Sequence, residues 1–390
     1  MSLTNRFSNQ SINVLMASVI TLTGLVSVKA HAAAFNSGSI GTEAKVISVD
    51  APAIDLPSDG ILHYQSLTVE AGAVMRFNKN EDNTPVFILT QGDILINGTI
   101  DVSGQDGGEG QIGIGGVGGP GGFGGGRAGV LNSPGSEPSA GFGPGANPNV
   151  STSATFVSTY GNPQLLPMIG GSGGSGGDAN YGAGGGGGGA ILLASSTNIL
   201  VNGSILARGG NRENNVGINF QRGLGSGGAI RLVAPNVDGL GSLDVRRKGV
   251  QNSINGRVRI DSFIFPNTTL NLNCVGSAFP SASCTRGSFM KVFLDVTPKL
   301  DIVSVAGNEI LPLPDGTRFF QLDFGSDAVQ PVVILPTNFQ NDITVRVQLT
   351  PVSGPATFED FNVEINNPVT HTLNVTFPVN VVVNINAWTL

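Results

Sequence analysis

Short runs of alternating apolar and polar residues recur between residues 61 and 265, and their apolar members lie two positions apart. Ile94 and Ile96 form one such pair, and Ile100 and Val102 form the next. This alternation is typical of β-strands that bury one face. Glycines separate the runs, so the pattern predicts strands of three to five residues that end at tight corners.

The runs are organised in copies of a longer unit. Three segments of about 20 residues share the pattern: 86–104, 190–210 and 229–249. A glycine followed by Thr or Ser separates the second and third runs of each copy: Gly98, Gly203 and Gly241. One such unit cannot bury its apolar face alone, but stacked units pair each strand with one above and one below. The repeat therefore predicts a β-solenoid, specifically a short right-handed parallel β-helix. Segments 61–77 and 255–265 resemble a preceding and a following coil, and an ordinary β-sandwich with similar strands is the alternative.

Two insertions, 105–187 and 211–226, interrupt this repeat. Because they leave at equivalent corners, they are expected to lie on one side of the solenoid. Residues 104–189 contain 33 of the 58 glycines in the chain. A segment with so few side chains to bury is expected to be mobile or irregular. The ordered alternative is a set of packed left-handed helices of the polyproline type, in which glycine allows close approach of the backbones.

The composition changes at about Ser288, where polyglycine ends and longer alternating runs begin. These runs, separated by turns at 314–316 and 353–355, predict an immunoglobulin-like β-sandwich. The predicted organisation is a signal peptide (1–34), a glycine-rich β-helix domain (35–287) and the sandwich domain (288–390). The last run, 379–390, is uncharged, so it either completes this sandwich or pairs with a sheet edge of another chain in a fibre or surface layer.

The first 34 residues have the organisation of a secretory signal peptide, with an apolar stretch from Val14 to Val28 and small residues at the expected cleavage points, Ala32 or Ala34. No later apolar run reaches the length of about 18 residues that a transmembrane helix needs. In the oxidising compartment that export implies, Cys274 and Cys284 are expected to form a disulfide, the alternative being two reduced thiols. The predicted location is outside the cell or on its surface.

Charge and composition narrow the classes of partner. The net charge is −7, which argues against nucleic acid and anionic lipid as partners. A surface glycan or protein, or another copy of the chain, is expected instead.

Reactive groups are sparse. A histidine-based triad is not favoured, because His63 and His371 fall in different predicted domains. The other candidate acids and bases are scattered singles or part of a charged run: Asp106, Glu109, Glu137, Asp178, Tyr181, Arg208, Arg212, Glu213, Arg222, Arg231, Arg246, Arg247 and Lys248. No catalytic, cofactor-binding or metal-binding residue is therefore assigned. Two alternatives stay open: a polysaccharide lyase or hydrolase that uses loop residues, and calcium binding at Asp178, for which the single motif "GGSGGSGGD" is a weak signal.

The motifs "GDILINGTIDVSG", "GGGGGGAILLAS", "GSGGAIRLVAP" and "NGRVRIDSF" resemble a class of glycine-rich secreted bacterial β-helix proteins. The first unit is also similar to the coils of filamentous-haemagglutinin-type adhesins. The resemblance covers about residues 60–265 and implies a coil shape with no catalytic residue. We therefore expect a non-enzymatic structural or adhesive protein of the bacterial cell surface or extracellular matrix, which binds through its glycine-rich loops.

Overall fold

In this computed structural model the described residues are 34–108, 113–129, 137–146, 160–177, 182–213, 223–247, 256–264, 273–275, 284–311, 318–365 and 369–390. Residues Phe35–Leu390 form one compact unit. The predicted signal peptide lies outside the described residues except for Ala34. The described part of the chain contains β-strands and no helix, so it is all-β.

Eighteen short strands lie between residues 44 and 287 of the described ranges: β1 (Ala44–Ile47), β2 (Ile54–Asp55), β3 (Ile61–Tyr64), β4 (Ser66–Val69), β5 (Val74–Met75), β6 (Phe77–Asn78), β7 (Val86–Thr90), β8 (Ile94–Ile96), β9 (Thr99–Asp101), β10 (Ala190–Ser195), β11 (Asn198–Val201), β12 (Ser204–Leu206), β13 (Ala229–Val233), β14 (Asn236–Asp238), β15 (Ser242–Asp244), β16 (Arg257–Asp261), β17 (Asn273–Val275) and β18 (Cys284–Gly287).

These strands form three parallel sheets. The first sheet has the order β1-β4-β8-β11-β14, the second β18-β16-β13-β10-β7-β3, and the third β17-β15-β12-β9-β5. Each of the predicted repeat units places one strand in each sheet, and β2 pairs with β6 in a separate short ribbon. Strands that are far apart in sequence thus lie side by side in matching register, an arrangement consistent with a β-solenoid.

The inward positions stack into ladders of aliphatic side chains. Ile94 pairs in register with Leu67 of the preceding coil and with Ile199 of the following one, and all three are fully buried. The third sheet stacks Ile100 and Ile205 in the same way. Full burial of one such side chain stabilises the fold by about 1.5 to 3 kcal/mol relative to exposure. The predicted inward positions are therefore confirmed, and each coil contributes to one continuous core.

The second sheet is buried on its outer face as well. Leu192 and Ala229 point away from the main core and pack with Leu165, Met168 and Val292, which cover this face. Strands that are buried on both faces are apolar throughout rather than alternating. This double burial explains why "AILLAS", residues 190–195, is buried at every position.

The remaining strands form two four-stranded antiparallel sheets: β19 (Lys299–Val305), β20 (Asn308–Glu309), β21 (Phe319–Gln321), β22 (Val329–Thr337), β23 (Ile343–Pro351), β24 (Thr357–Val363), β25 (His371–Thr376) and β26 (Val382–Thr389). One sheet has the order β20-β19-β22-β25 and the other β21-β26-β23-β24. Val345, Val347 and Leu349 are buried in a second core between them, as their alternation predicts. β26 lies between β21 and β23, so the last run completes its own sheet and is not left as a free edge.

Candidate functional site

The insertions leave the solenoid at one corner and gather on one side of it. The chain departs after β9, β12 and β15 and returns directly at β10, β13 and β16. Described parts of the two insertions are hydrogen-bonded to each other, as between the Gly185 N–H and the Gly223 carbonyl (2.8 Å). The prediction that the insertions cluster on one side is confirmed.

Segment 182–189 forms the centre of this cluster and donates hydrogen bonds in three directions. Backbone N–H groups three residues apart donate to the carbonyl groups of the same neighbouring segment. Gly184 and Gly187 donate to Gly126 and Phe123, respectively. Gly185 and Gly188 donate to Gly223 and Ser226, and Gly186 and Gly189 donate to Gln105 and Val102. Three residues per turn is the repeat of the polyproline II conformation. The central segment therefore has three hydrogen-bonding faces, and each face meets a different neighbour.

The central segment also accepts hydrogen bonds on the sides between these faces. The donors are Gly116 and Gly119, Gly171 and Gly174, and Gly210 and Glu213. Six segments thus surround the central segment 182–189. We call the central segment and these six outer segments together the glycine array; the outer segments are 102–108, 113–119, 123–126, 171–174, 207–213 and 223–226. Neighbouring outer segments are also bonded to one another around the ring, as between Gly125 and Gly116 or Gly104 and Arg208 (both 2.8 Å).

The expectation that the large insertion is mobile or irregular is wrong for the described residues, and the ordered alternative of packed polyproline-type segments agrees with the array. The physical reason is that backbone N–H and C=O groups are strong hydrogen-bonding groups, which here pair between segments instead of with water. Glycine is required for this packing. A Cβ atom added at Gly187 would lie 1.9 Å from the Gly171 carbonyl oxygen, and one at Gly186 would lie 2.2 Å from the Val117 oxygen.

Glu213 closes the end of the array that is remote from the solenoid. Its carboxylate accepts hydrogen bonds from the backbone N–H groups of Gly113 and Ala183 (both 3.0 Å). Asp106 accepts a hydrogen bond from the backbone N–H of Asn211 (2.8 Å) in the same manner. Two of the acids considered as catalytic candidates therefore hold array segments together.

Tyr160 is hydrogen-bonded through its hydroxyl group to residues 170 and 172, at the start of one array segment. Its hydroxyl donates to the Gly170 carbonyl oxygen (2.7 Å) and accepts from the Ser172 hydroxyl (2.9 Å). Burial, partly offset by hydrogen bonds from Ser172 and Ser226, raises the pKa of Tyr160 to about 12.

This shift predicts a loss of stability in alkali. Because the folded-state pKa of Tyr160 is raised, its contribution to the free energy of unfolding is present below pH 10 and is lost as the pH rises towards about 12. Burial also raises the pKa of Tyr64, so the tyrosinate absorbance of the three tyrosines should show late ionisation of Tyr64 and, towards pH 12, of a further group that is Tyr160. That group should be missing in Tyr160→Phe, and an unchanged titration in this variant would contradict the assignment.

Two of the candidate bases are engaged in structural pairs, and two others are buried. Arg208 and Arg246 both bind the carboxylate of Asp244, which holds the pKa of Asp244 below its usual range against the opposing effect of burial. Arg212 and Arg247 are buried, and burial lowers the pKa of Arg247 to about 10.

Arg231 is fully buried and binds Asp261 (3.1 Å) and the Phe289 carbonyl oxygen (3.0 Å). Burial lowers the pKa of Arg231, and the nearby carboxylate of Asp261 opposes this shift. Its guanidinium is inaccessible to a polysaccharide, so it cannot act as the base that the lyase alternative considered.

The other predicted residues are not brought together. His63 lies on β3, where its Nδ1 accepts from the Ile40 N–H, and His371 lies on β25 of the antiparallel sheets. Glu137 contacts Ser353 of the sandwich. Within the described ranges, no group of three or more His, Cys, Asp or Glu side chains is placed to hold a metal ion.

Several candidates fall outside the described residues: Glu109, Asp178, Tyr181, Arg222 and Lys248. The calcium alternative at Asp178 therefore stays a prediction. The backbones of Cys274 and Cys284 lie in β17 and β18, but their side chains are outside the described part, so the disulfide also stays a prediction.

The sequence contained a signal for the array that composition alone obscures. Every third residue from Ile114 to Phe123 is not glycine, and the residues between them are all glycine. A period of three is that of polyproline II, whereas strands have a period of two. Ile114 and Val117 are half exposed at the periphery of the array, where a side chain has room.

No protein-family model matches the chain, and no curated protein or solved structure matches it. Among the described residues, no helix has the length and apolar character needed to cross a membrane.

Proposed function

We propose that this chain is a non-enzymatic, exported structural or adhesive protein of the bacterial cell surface or extracellular matrix. In this proposal a short right-handed parallel β-helix carries the glycine array, an immunoglobulin-like sandwich follows it, and segments at the edge of the array contact a glycan or protein. The observation that carries the proposal is the ordered array itself, because it is an extensive hydrogen-bonded body with few reactive groups.

The directions of the array segments indicate where contact is made. Segments 102–108 and 207–213 run away from the solenoid, while 182–189 and 223–228 run back into β10 and β13. Glu213 ties the remote ends of three segments together. The chain ends that flank 109–112, 178–181 and 214–222 therefore converge at this remote end.

A rigid support favours recognition by the segments it carries. Binding costs less conformational entropy when the ends of a loop are already held in place. The array holds these ends by backbone hydrogen bonds and by the carboxylate of Glu213. In this proposal the glycines of the array form the rigid support, and the segments that connect its ends contact the ligand.

Replacement of a connecting segment tests the proposal better than removal of the insertion. Deleting 105–187 would remove the central segment of the array and so would unfold the support. Replacing 214–222 by a Gly/Ser segment of equal length is expected to abolish attachment of the purified protein to bacterial cells or matrix, with the circular dichroism spectrum unchanged. The matched control replaces 366–368, between β24 and β25.

Two results would count against the proposal. The first is unchanged attachment after replacement of 109–112, 178–181 and 214–222, singly and together. The second is the release of new reducing ends or unsaturated uronate when the protein is incubated with acidic and neutral glycans, since this would favour the polysaccharide-active alternative.

A further inference from the structure

The sandwich touches the glycine array at Phe123 and touches the part of the insertion that follows it at Arg127 and Pro138. The Phe123 and Trp388 rings meet edge to face with their centroids 6.4 Å apart. The Arg127 guanidinium donates to the Val352 carbonyl oxygen. Next to it, the Gly354 N–H donates to the Pro138 carbonyl oxygen (3.1 Å).

The spacing of these contacts shows how the two bodies lie against each other. Phe123 and Arg127 are four residues apart, which spans about 12 Å in a polyproline II segment. Asn384 and Trp388 are four residues apart on β26, which spans about 13 Å in a strand. Thr350, which is opposite Asn384 in register, lies two residues before Val352. Segment 123–127 therefore runs along the outer face of the β21-β26-β23-β24 sheet, from Trp388 on β26 to the end of β23.

The covered face is polar. Gln348, Thr350 and Asn384 point away from the sandwich core, yet they are 4%, 0% and 1% exposed. Asn384 Nδ2 and Trp388 Nε1 are buried and have no hydrogen-bond partner among the described residues. Burying polar groups without partners opposes docking, because these groups lose hydrogen bonds to water.

We propose that this contact is a separable joint: the sandwich undocks from the glycine array while both remain folded, and undocking uncovers a surface formed by Trp388, Phe123 and the polar face of β23 and β26. The solenoid that carries the array and the sandwich have separate apolar cores, so neither core needs the contact. Among the described residues, the joint is closed by one aromatic pair and by hydrogen bonds at Arg127, Glu137 and Gly354. The unpaired donors favour its opening into water. Intramolecular contacts of this polar kind commonly permit relative motion.

Trp388 is the only tryptophan of the chain, so its fluorescence reports on the joint directly. In urea, its emission is expected to shift to longer wavelength before the far-ultraviolet circular dichroism is lost. In native buffer, Arg127→Ala is expected to raise the quenching of Trp388 by acrylamide by about twofold or more through local opening. Arg127 contacts the far end of the joint from Trp388, so a merely local role of this side chain would not change the quenching.

Phe123→Ala is expected to act in the same direction, and Phe324→Ala serves as the matched control, since Phe324 is exposed. Coincident fluorescence and circular dichroism transitions, together with unchanged quenching in Arg127→Ala, would overturn the proposal. Loss of strand signal in Arg127→Ala in native buffer would overturn it too, because the strands of the solenoid or the sandwich would then depend on docking.

Discussion

Gly187→Ala is expected to destabilise the protein by at least about 3 kcal/mol, at or above the upper end of overpacking effects. The added methyl group would lie 1.9 Å from the Gly171 carbonyl oxygen and 2.3 Å from its carbon. Segment 182–189 cannot move away from this contact, because it is bonded to neighbours on every side. Urea denaturation followed by circular dichroism would measure the loss in the free energy of unfolding.

The matched control is Gly124→Ala, in an outer segment of the same array. A methyl group there would meet Phe142 at 3.5 Å and the Gly116 oxygen at 3.7 Å, which are ordinary contact distances. Its effect is expected to stay within about 1 kcal/mol, in either direction, because alanine also restricts the unfolded chain. Equal losses in the two variants would mean that close packing against Gly171 is not what makes glycine necessary at position 187.

Asp261→Ala is expected to cost about 3 to 5 kcal/mol, because it leaves the fully buried guanidinium of Arg231 without its counter-charge. The Asp261 carboxylate also accepts hydrogen bonds from Arg259 (2.7 Å) and from the Phe289 N–H (3.0 Å). It therefore attaches residues 287–290 to the outer face of the second sheet. Thermal and urea unfolding of the variant would measure the effect.

The exposed pair of Arg346 and Asp360 on the sandwich provides the comparison. It has similar geometry, with contacts of 2.7 and 2.8 Å, but the Asp360 side chain is 37% exposed. Asp360→Ala is expected to cost about 1 kcal/mol or less, because water can replace the lost partner. A similar cost for Asp261→Ala would show that Arg231 reaches solvent or another partner when its carboxylate is removed.

The strands and their inward faces were predictable because they rest on a local property. Ile94 and Ile96 lie two positions apart, as do Ile100 and Val102, and a period of two specifies which side of a strand is buried. The sandwich strand that carries Val345 and Val347 follows the same rule. The double burial of the second sheet was less predictable. Its outer face, which carries Leu192, is buried only because residues distant in the sequence cover it.

The glycine array, which is the candidate functional site, was only partly predictable from the sequence. Its position on one side of the solenoid follows from the shared corner at which the insertions leave. Its order is signalled at residues 114–123, where every third residue is not glycine; the central run 182–189 has no such period, and its composition suits a mobile chain. Glu213, which the sequence presents as a scattered acid, caps the remote end of the array. This role could not be predicted, because its partners Gly113 and Ala183 are about 100 and 30 residues away in the chain.

The sequence by itself determined that this protein is built from short strands with one buried face, that the strand units repeat, and that a different strand pattern begins near residue 288. These features depend on neighbours within a few residues, where side-chain period and glycine corners act directly. Only the tertiary structure decided that the glycine-rich insertion is a packed array. Each of its segments is held by hydrogen bonds to segments far away in the chain, so no single segment carries the information for its own order.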